Sequence, residues 1–461
     1  MAQFKRIKAA TDLLNKRLQP RRLSHLEHSR TVFQVILLLA LILLSAGGAT
    51  AQFVYGADVG WLSRMEANGY VFKDRSGIQR DCLDILKEEG VSAIRLRVWV
   101  NPSDGYCGKK DVAYMAHRAD SMGFKILLDF HCSDTWADPS HQTKPAAWAN
   151  DSLPRLLADL YNHVYGVLDT LKSIGVVPDW VQIGNETDNG MLWPDGMATD
   201  HMDNFSKMID TGYAAVKAVD STSQVIVHLS SANDDEMYRW MFDGLKKYGG
   251  RWDIIGMSVY PYWSNLPWEV EDSLALVTMK DMVSRYGTKV MIVETGYIES
   301  DPVNANHFLL DLITKTKSAG GLGVFYWEPE SYDWMGYQLG AWDPTTKEPT
   351  AALDAFMGVA GIESRYGSQP DRLRLSAFPN PFNPTTTIRY QLSAVSHVTL
   401  EVYDILGREV RTLLDKRQYP GIYALRFDGS RMASGVYLCR LVAEGDNGRR
   451  FVSIQKLLLL K

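Results

Sequence analysis

Eight short apolar runs, each suited to a buried strand and each followed by a stretch with helical spacing, constrain this chain more than any other feature. They are Gly56–Val59, Ala93–Val98, Lys125–Phe130, Trp180–Ile183, Val225–Leu229, Ile254–Val259, Val290–Val293 and Gly323–Trp327. Between them, Asp81–Glu89 places Cys82, Ile85 and Leu86 on one helical face and meets a natural stop at Gly90. Leu156, Leu160, Val164, Leu168 and Leu171 form a second such stripe. Strands alternating singly with helices require a parallel sheet covered by those helices. The expected class is α/β, a (β/α)8 TIM barrel over residues 52–360, with an open doubly wound sheet as the weaker competitor.

The pattern changes after Gly361. Residues 361–377, including the polar stretch Glu363–Pro370, read as a linker, and Pro379-Asn380-Pro381-Phe382-Asn383-Pro384 is a turn signal that no helix could contain. Beyond it the apolar period drops to two, in Thr387–Tyr390, Val398–Tyr403, Tyr423–Phe427 and Gly435–Leu438. A small C-terminal antiparallel β-sandwich of immunoglobulin-like type is expected over residues 378–461.

At the other end, Lys5, Arg6, Lys8, Lys16, Arg17, Arg21 and Arg22 precede the apolar run Val32–Leu44, and Ala49-Thr50-Ala51 fits a small-x-small cleavage site. Residues 1–51 therefore read as an N-terminal signal segment with a mature start at Gln52. The apolar run falls short of the roughly 20 residues of a spanning helix; retention as an anchor is the alternative. Cys82, Cys107, Cys132 and Cys439 are too few for a disulfide framework. A Cys107–Cys132 bridge is conceivable, but burial as small apolar residues is the simpler reading. No Cys/His spacing resembles a zinc site, so neither metal nor cofactor is expected. A net charge of -5 without a basic stripe argues against nucleic acid. The 13 Trp and 22 Tyr exceed what packing alone needs, and about half could serve as platforms for sugar faces.

In a (β/α)8 barrel, chemistry gathers at the strand C-termini. The polar residues there are Asp58, Arg95, Arg97, Asp129, His131, Asn185, Glu186, His228, Tyr260, Glu294, Trp327 and Glu328. Inward carboxylates are costly to desolvate, so Glu186 after the fourth run and Glu294 after the seventh are candidates for chemistry rather than packing. Two carboxylates facing one cleft are the minimum equipment for hydrolysing a glycosidic bond: one acid to protonate the leaving oxygen, one carboxylate to attack. Glu186 is the candidate acid/base and Glu294 the candidate nucleophile. Arg97 is expected to hold Glu294 charged, or Arg95 in its place, the other arginine forming a structural ion pair facing elsewhere. Tyr260 could donate to Glu294, Asn185 could contact a sugar 2-hydroxyl, and His131 could tune Glu186 or bind sugar. Trp327 is expected as the floor of the cleaved sugar's subsite, with Asp58 and Trp136 also touching substrate. Asp134 and Asp138 lie on the same loop as Trp136. Trp263 and Trp342 are candidates for outer subsites, and His228 is balanced between site and core.

Gly56-Ala57-Asp58-Val59, Arg95-Leu96-Arg97-Val98-Trp99, Leu127-Leu128-Asp129-Phe130-His131, Ser133-Asp134-Thr135-Trp136-Ala137-Asp138-Pro139, Gly184-Asn185-Glu186-Thr187, Glu294-Thr295-Gly296-Tyr297 and Tyr326-Trp327-Glu328-Pro329 occur in one register along the barrel. Together they resemble glycoside hydrolase family 53, whose members are endo-β-1,4-galactanases that cut type I arabinogalactan. The resemblance implies a retaining double displacement on β-galactan, with Glu186 and Glu294 in the roles above. Another β-1,4-glycan, mannan or glucan, and a non-catalytic polysaccharide-binding protein are the alternatives. Many bacterial members carry a long acidic calcium-binding insertion after the seventh strand. Here only Ile298–Asn304 follows Tyr297, too short for a multi-oxygen cage, and no calcium is expected there.

Phe378–Pro384, Asp404–Val410, Ser434-Gly435-Val436-Tyr437 and the terminal Lys456–Lys461 resemble type IX secretion sorting domains. That likeness implies export through the periplasm to the cell surface or medium, with the secretion machinery as partner. A carbohydrate-binding sandwich would show an exposed aromatic platform, yet this segment contains no Trp. A monomer is expected.

Overall fold

The computed structural model describes residues 52–357, 374–392, 395–418, 421–445 and 450–461. Residues 1–51, read from the sequence as a signal segment, and Glu363–Pro370, read as a linker, lie outside the described residues.

Eight parallel strands close into a barrel: β1 (Val54–Asp58), β2 (Ala93–Val98), β3 (Lys125–Phe130), β4 (Trp180–Ile183), β5 (Gln224–Leu229), β6 (Ile254–Val259), β7 (Lys289–Thr295) and β8 (Gly323–Trp327), with β8 hydrogen-bonded to β1. The main helices between them are α1 (Cys82–Glu88), α2 (Lys109–Ser121), α3 (Leu153–Ser173), α4 (Ala198–Val219), α5 (Asp235–Tyr248), α6 (Trp268–Tyr286) and α7 (Pro302–Ser318), with short helical turns at Leu62–Ala67 and Pro261–Ser264. The 3-10 turn Ala351–Phe356 takes the eighth helical position. In α3, Leu156, Leu160, Val164, Leu168 and Leu171 are all buried, so the stripe read at helical spacing is the face turned to the barrel.

Strand alternation divides each strand between two environments. Val54, Ala93, Leu127, Trp180, Ile226, Ile254, Met291 and Phe325 fill the barrel interior as an apolar layer. One or two pleats further along, the same face carries Asp58, Arg95, Arg97, Asp129, Gln182, His228, Ser258 and Trp327. All but Trp327 are essentially inaccessible. The barrel thus rests on hydrocarbon and becomes polar towards its C-terminal mouth.

Glu294 reaches that mouth through a break in the alternation. Met291 and Val293 belong to the interior layer, whereas Val290 and Ile292 pack against the helices. Strict alternation would therefore turn Glu294 outward. Between β6 and β7, Met257 pairs with Ile292 but Ser258 pairs with Glu294, so β7 carries one extra residue. The β7–β8 ladder shifts at the same place. This β-bulge reverses the parity and brings Glu294 inside, a common use of bulges beside active sites.

The C-terminal segment forms two antiparallel sheets. One contains β9 (Arg374–Phe378), β10 (Thr385–Leu392) and β13 (Gly421–Asp428); the other contains β11 (Ser396–Asp404), β12 (Glu409–Gln418), β14 (Gly435–Gly445) and β15 (Arg450–Leu459). Ile388, Leu400, Val402, Phe427, Cys439, Leu441 and Leu457 make their shared core. All four cysteines are free and buried. Among the described residues, no helix is long and apolar enough to cross a membrane.

Candidate active site

β4 ends in a sharp turn. Gly184 has φ 81°, and a Cβ there would lie 2.4 Å from the Thr187 methyl. Glu186 itself is held at φ 44°, a region costly for a residue with a side chain and concentrated at functional sites. This turn aims Glu186 across the mouth, while the bulge in β7 aims Glu294 from the other side. Both line one cleft of about 530 Å³, together with Trp61, His131, Trp136, Asp138, Asn185, Tyr260, Trp263, Trp327 and Tyr337.

The two carboxyls have different surroundings. Glu294 Oε1 lies 2.8 Å from the buried Arg95 guanidinium, and Tyr260 Oη donates to its other oxygen at a long 3.4 Å. Burial pushes Glu294 up to about 7, against the pull of Arg95. Glu186 has no cation in contact; Ser258 Oγ donates to its Oε1 at 2.7 Å. Burial and then the neighbouring Glu294 charge push Glu186 well above the usual carboxyl range. Of the pair, Glu186 is the better placed to hold a proton and Glu294 to be charged.

Arg95 is the hub beneath them. It contacts Asp58 at 2.6 Å, Asp129 at 2.9 Å and the side-chain oxygen of Asn185 at 3.0 Å. Burial alone would raise Asp129, but Arg95 and His131 outweigh it and hold that carboxyl below its ordinary value. Arg97 takes Glu328 and Asp58 instead. It lies under three rings, 5.4 Å from Trp61, 4.6 Å from Trp136 and 5.5 Å from Trp327. Trp61 meets Trp136 and Trp327 edge-on, its centroid 4.9 Å from that of Trp327, and the three rings form one aromatic wall.

Several expectations need correction. Residues two apart on a strand share a face, so Arg95 and Arg97 both point inward and both are ion-paired. Arg95, not Arg97, holds Glu294. Asp58 and Arg97 are sealed beneath the mouth by the aromatic wall and their own ion pairs, and neither lines the cleft. Trp342 is fully buried against Phe72 and is no outer platform, whereas Trp263 is 65% exposed at the cleft edge. His131 does not reach Glu186: its Nε2 lies 2.9 Å from Asp129 and its Nδ1 accepts from the Ala137 N–H. Asp134 caps the backbone of Asn101 and Ala146 and stays outside the cleft, while Asp138 lines it.

Sequence reasoning passed over Trp61, Tyr337 and Ser258. Trp61 follows β1 by three residues, so the strand-end rule could have found it. Tyr337 lies ten residues past β8 and carries no such signal. Ser258 is a small polar residue inside an apolar strand, and that alternation break was its only mark.

A (β/α)8 barrel with two carboxyls of unlike environment opposed in an aromatic-walled cleft at its C-terminal face defines the class of barrel glycosidases. Residues 54–359 match the family model described as glycosyl hydrolase family 53, and the chain belongs to that family. It is 35% identical over 307 residues to the probable arabinogalactan endo-beta-1,4-galactanase A of Aspergillus terreus, covering 61% of this chain and 87% of that protein. It is 31% identical to the arabinogalactan endo-beta-1,4-galactanase A of Emericella nidulans, covering 66% and 92% respectively. Among solved structures, the family 53 catalytic domain of Ignisphaera aggregans superposes with a TM-score of 0.61 at 32% identity, covering 67% of this chain and 97% of that one. Residues 376–455 match the model described as a secretion system C-terminal sorting domain, which marks the chain for export to the cell surface or medium.

Proposed function

We propose that this chain is an exported endo-β-1,4-galactanase acting on type I arabinogalactan with retention of configuration, and that residues 52–360 carry the whole of that activity. The observation that carries the reading is the inequality of the two carboxyls in one aromatic cleft: Glu294 beside a cation, Glu186 beside a neutral hydroxyl. In the first step the Glu294 carboxylate attacks the anomeric carbon, the glycosidic C–O bond breaks, and the Glu186 proton passes to the departing oxygen. In the second, Glu186 takes a proton from water, whose oxygen displaces Glu294 and restores the free sugar and both carboxyls. When Glu294 is esterified its charge is gone, so the pKa of Glu186 falls at the moment it must act as a base.

The remaining residues bind. Trp327, Trp61 and Trp136 offer ring faces and edges to the apolar C–H faces of galactose units. Asn185 spends its oxygen on Arg95 and Gln182, and its nitrogen donates to the Ala137 carbonyl while keeping a second N–H for a sugar hydroxyl. His131, Tyr260 and Trp263 complete the cleft wall.

Reducing-sugar release from purified galactan, mannan and glucan tests the substrate: galactan alone should be cut, internally. Glu294→Gln should lower turnover by at least about 10³-fold without loss of fold. Glu294→Gly rescued with azide should yield the α-glycosyl azide, and recovery of the β-product there would reverse the two roles.

A further inference from the structure

We propose that His228 and Ser258 form a positioning relay that fixes the hydrogen-bonding state of Glu186 and confines its catalytic proton to Oε2. This rests on the reading of Glu186 as the acid/base. His228 is an inward residue of β5 in register with Gly256 of β6, and Ser258 stands one pleat nearer the mouth on β6; both are buried. Ser258 Oγ lies 2.8 Å from His228 Nε2 and 2.7 Å from Glu186 Oε1. Neither histidine nor serine lines the cleft, so both act on the reaction only through the glutamate.

The direction of the chain follows from its far end. His228 Nδ1 accepts from the backbone N–H of Glu186 at 3.3 Å, a group that can only donate, and lies 3.0 Å from the Gln182 amide nitrogen. The Asn185 oxygen 3.0 Å away already takes donors from Arg95 and Gln182. With Nδ1 an acceptor, the ring proton of neutral imidazole is on Nε2 and points at Ser258 Oγ. The histidine stays neutral because burial and the Arg95 charge depress its pKa well below the ordinary range. Ser258 accepts from the imidazole, so its single O–H is left for Glu186 Oε1. A donor held on Oε1 throughout the cycle leaves Oε2 to carry the proton for the leaving group. It also favours the charged carboxylate over the acid, offsetting part of the upward push of burial.

The groups that face Glu186 are Glu294 on β7, Arg95 on β2, Ser258 on β6, Tyr260 just past it, His228 on β5 and Asp188 on its own loop. Glu294, Arg95 and Asp188 act on Glu186 by charge and are untouched by changes at Ser258. Glu186 must be protonated to act, so the basic limb of kcat/KM reports its pKa. Ser258→Ala removes a donor to the charged form and should move that limb to higher pH by roughly one unit. His228→Leu should move it the same way by less, by weakening the hydroxyl donor. In the Ser258→Ala background His228→Leu should move it no further. An unmoved or lowered limb in Ser258→Ala overturns the relay, as does a full additional shift in the double variant. The same shifts, read from the ¹³Cδ resonance of Glu186 in ¹³C-glutamate-labelled protein, need no turnover. Inactivity of the wild type on galactan would thus overturn the substrate reading and leave the relay measured.

Discussion

Arg95 lies between three carboxylates, Asp58, Asp129 and Glu294, all buried with it. Removing a partner from such a group strands charge in low dielectric, so Arg95→Met should destabilise by about 3–5 kcal/mol, measurable by urea unfolding. In whatever fraction stays folded, Glu294 loses the cation that lowers its pKa. Glu294 must be ionised to attack, so the acidic limb of kcat/KM should move to higher pH. Arg97→Met should leave that limb in place and raise KM, because Arg97 underlies the tryptophan wall rather than the nucleophile. Strand-end position alone made both glutamates, Asn185 and Trp327 legible in the sequence. It did not make the partner of each arginine legible. Both arginines point inward, and which carboxylate each reaches depends on the height of its strand position, which no one-dimensional pattern carries.

The eight strands were legible because parallel strands buried on both faces need uninterrupted apolar runs. The bulge in β7 was not, since Val-Met-Ile-Val-Glu-Thr reads the same with or without an extra residue in the ladder. In the sandwich, β12 escaped because Glu409–Gln418 is mostly exposed and its apolar residues, Val410, Leu413 and Leu414, do not alternate. Packing between α6 and α7 hides a further carboxyl, Asp272, fully buried beside Asp311, which pairs with Lys315 at 2.6 Å. Burial and then Asp311 raise Asp272 well above its ordinary value. A carboxyl raised by folding binds more protons folded than unfolded. Its contribution to stability is complete below the unfolded value of about 4 and is lost as pH rises towards the folded one, at about 1.4 kcal/mol for each pH unit between the two. Asp272→Asn keeps a donor for Asp311 and abolishes that loss. Its melting temperature should exceed the wild type's at pH 8 and converge with it near pH 4.

At the scale of the whole molecule, the barrel closes on itself and its ladder takes no strand from the sandwich. The Tyr423 hydroxyl and His307 Nε2 lie 3.1 Å apart, with stacked rings, where the sandwich touches α7, and neither residue lines the cleft. Deleting Ser368 onward should therefore leave kcat/KM on galactan within about twofold and abolish export in a host with the matching secretion system. A tenfold loss in the soluble truncated protein would show that the sandwich supports the cleft. The polar layer at the mouth has a last consequence, for the company this polymer keeps. Beneath the cleft four acidic side chains, Asp58, Asp129, Glu294 and Glu328, gather around two guanidiniums, Arg95 and Arg97. Acidic groups outnumber cations there, and the excess negative charge grows as pH rises through about 7, where Glu294 and Glu328 ionise. An uncharged galactan chain should be indifferent to that field, and its KM should change little between dilute buffer and brine. A uronic-acid polymer of the same shape should meet repulsion that galactan does not, weakest at high salt and low pH, so acidic polysaccharides lying alongside galactan should compete poorly for the cleft.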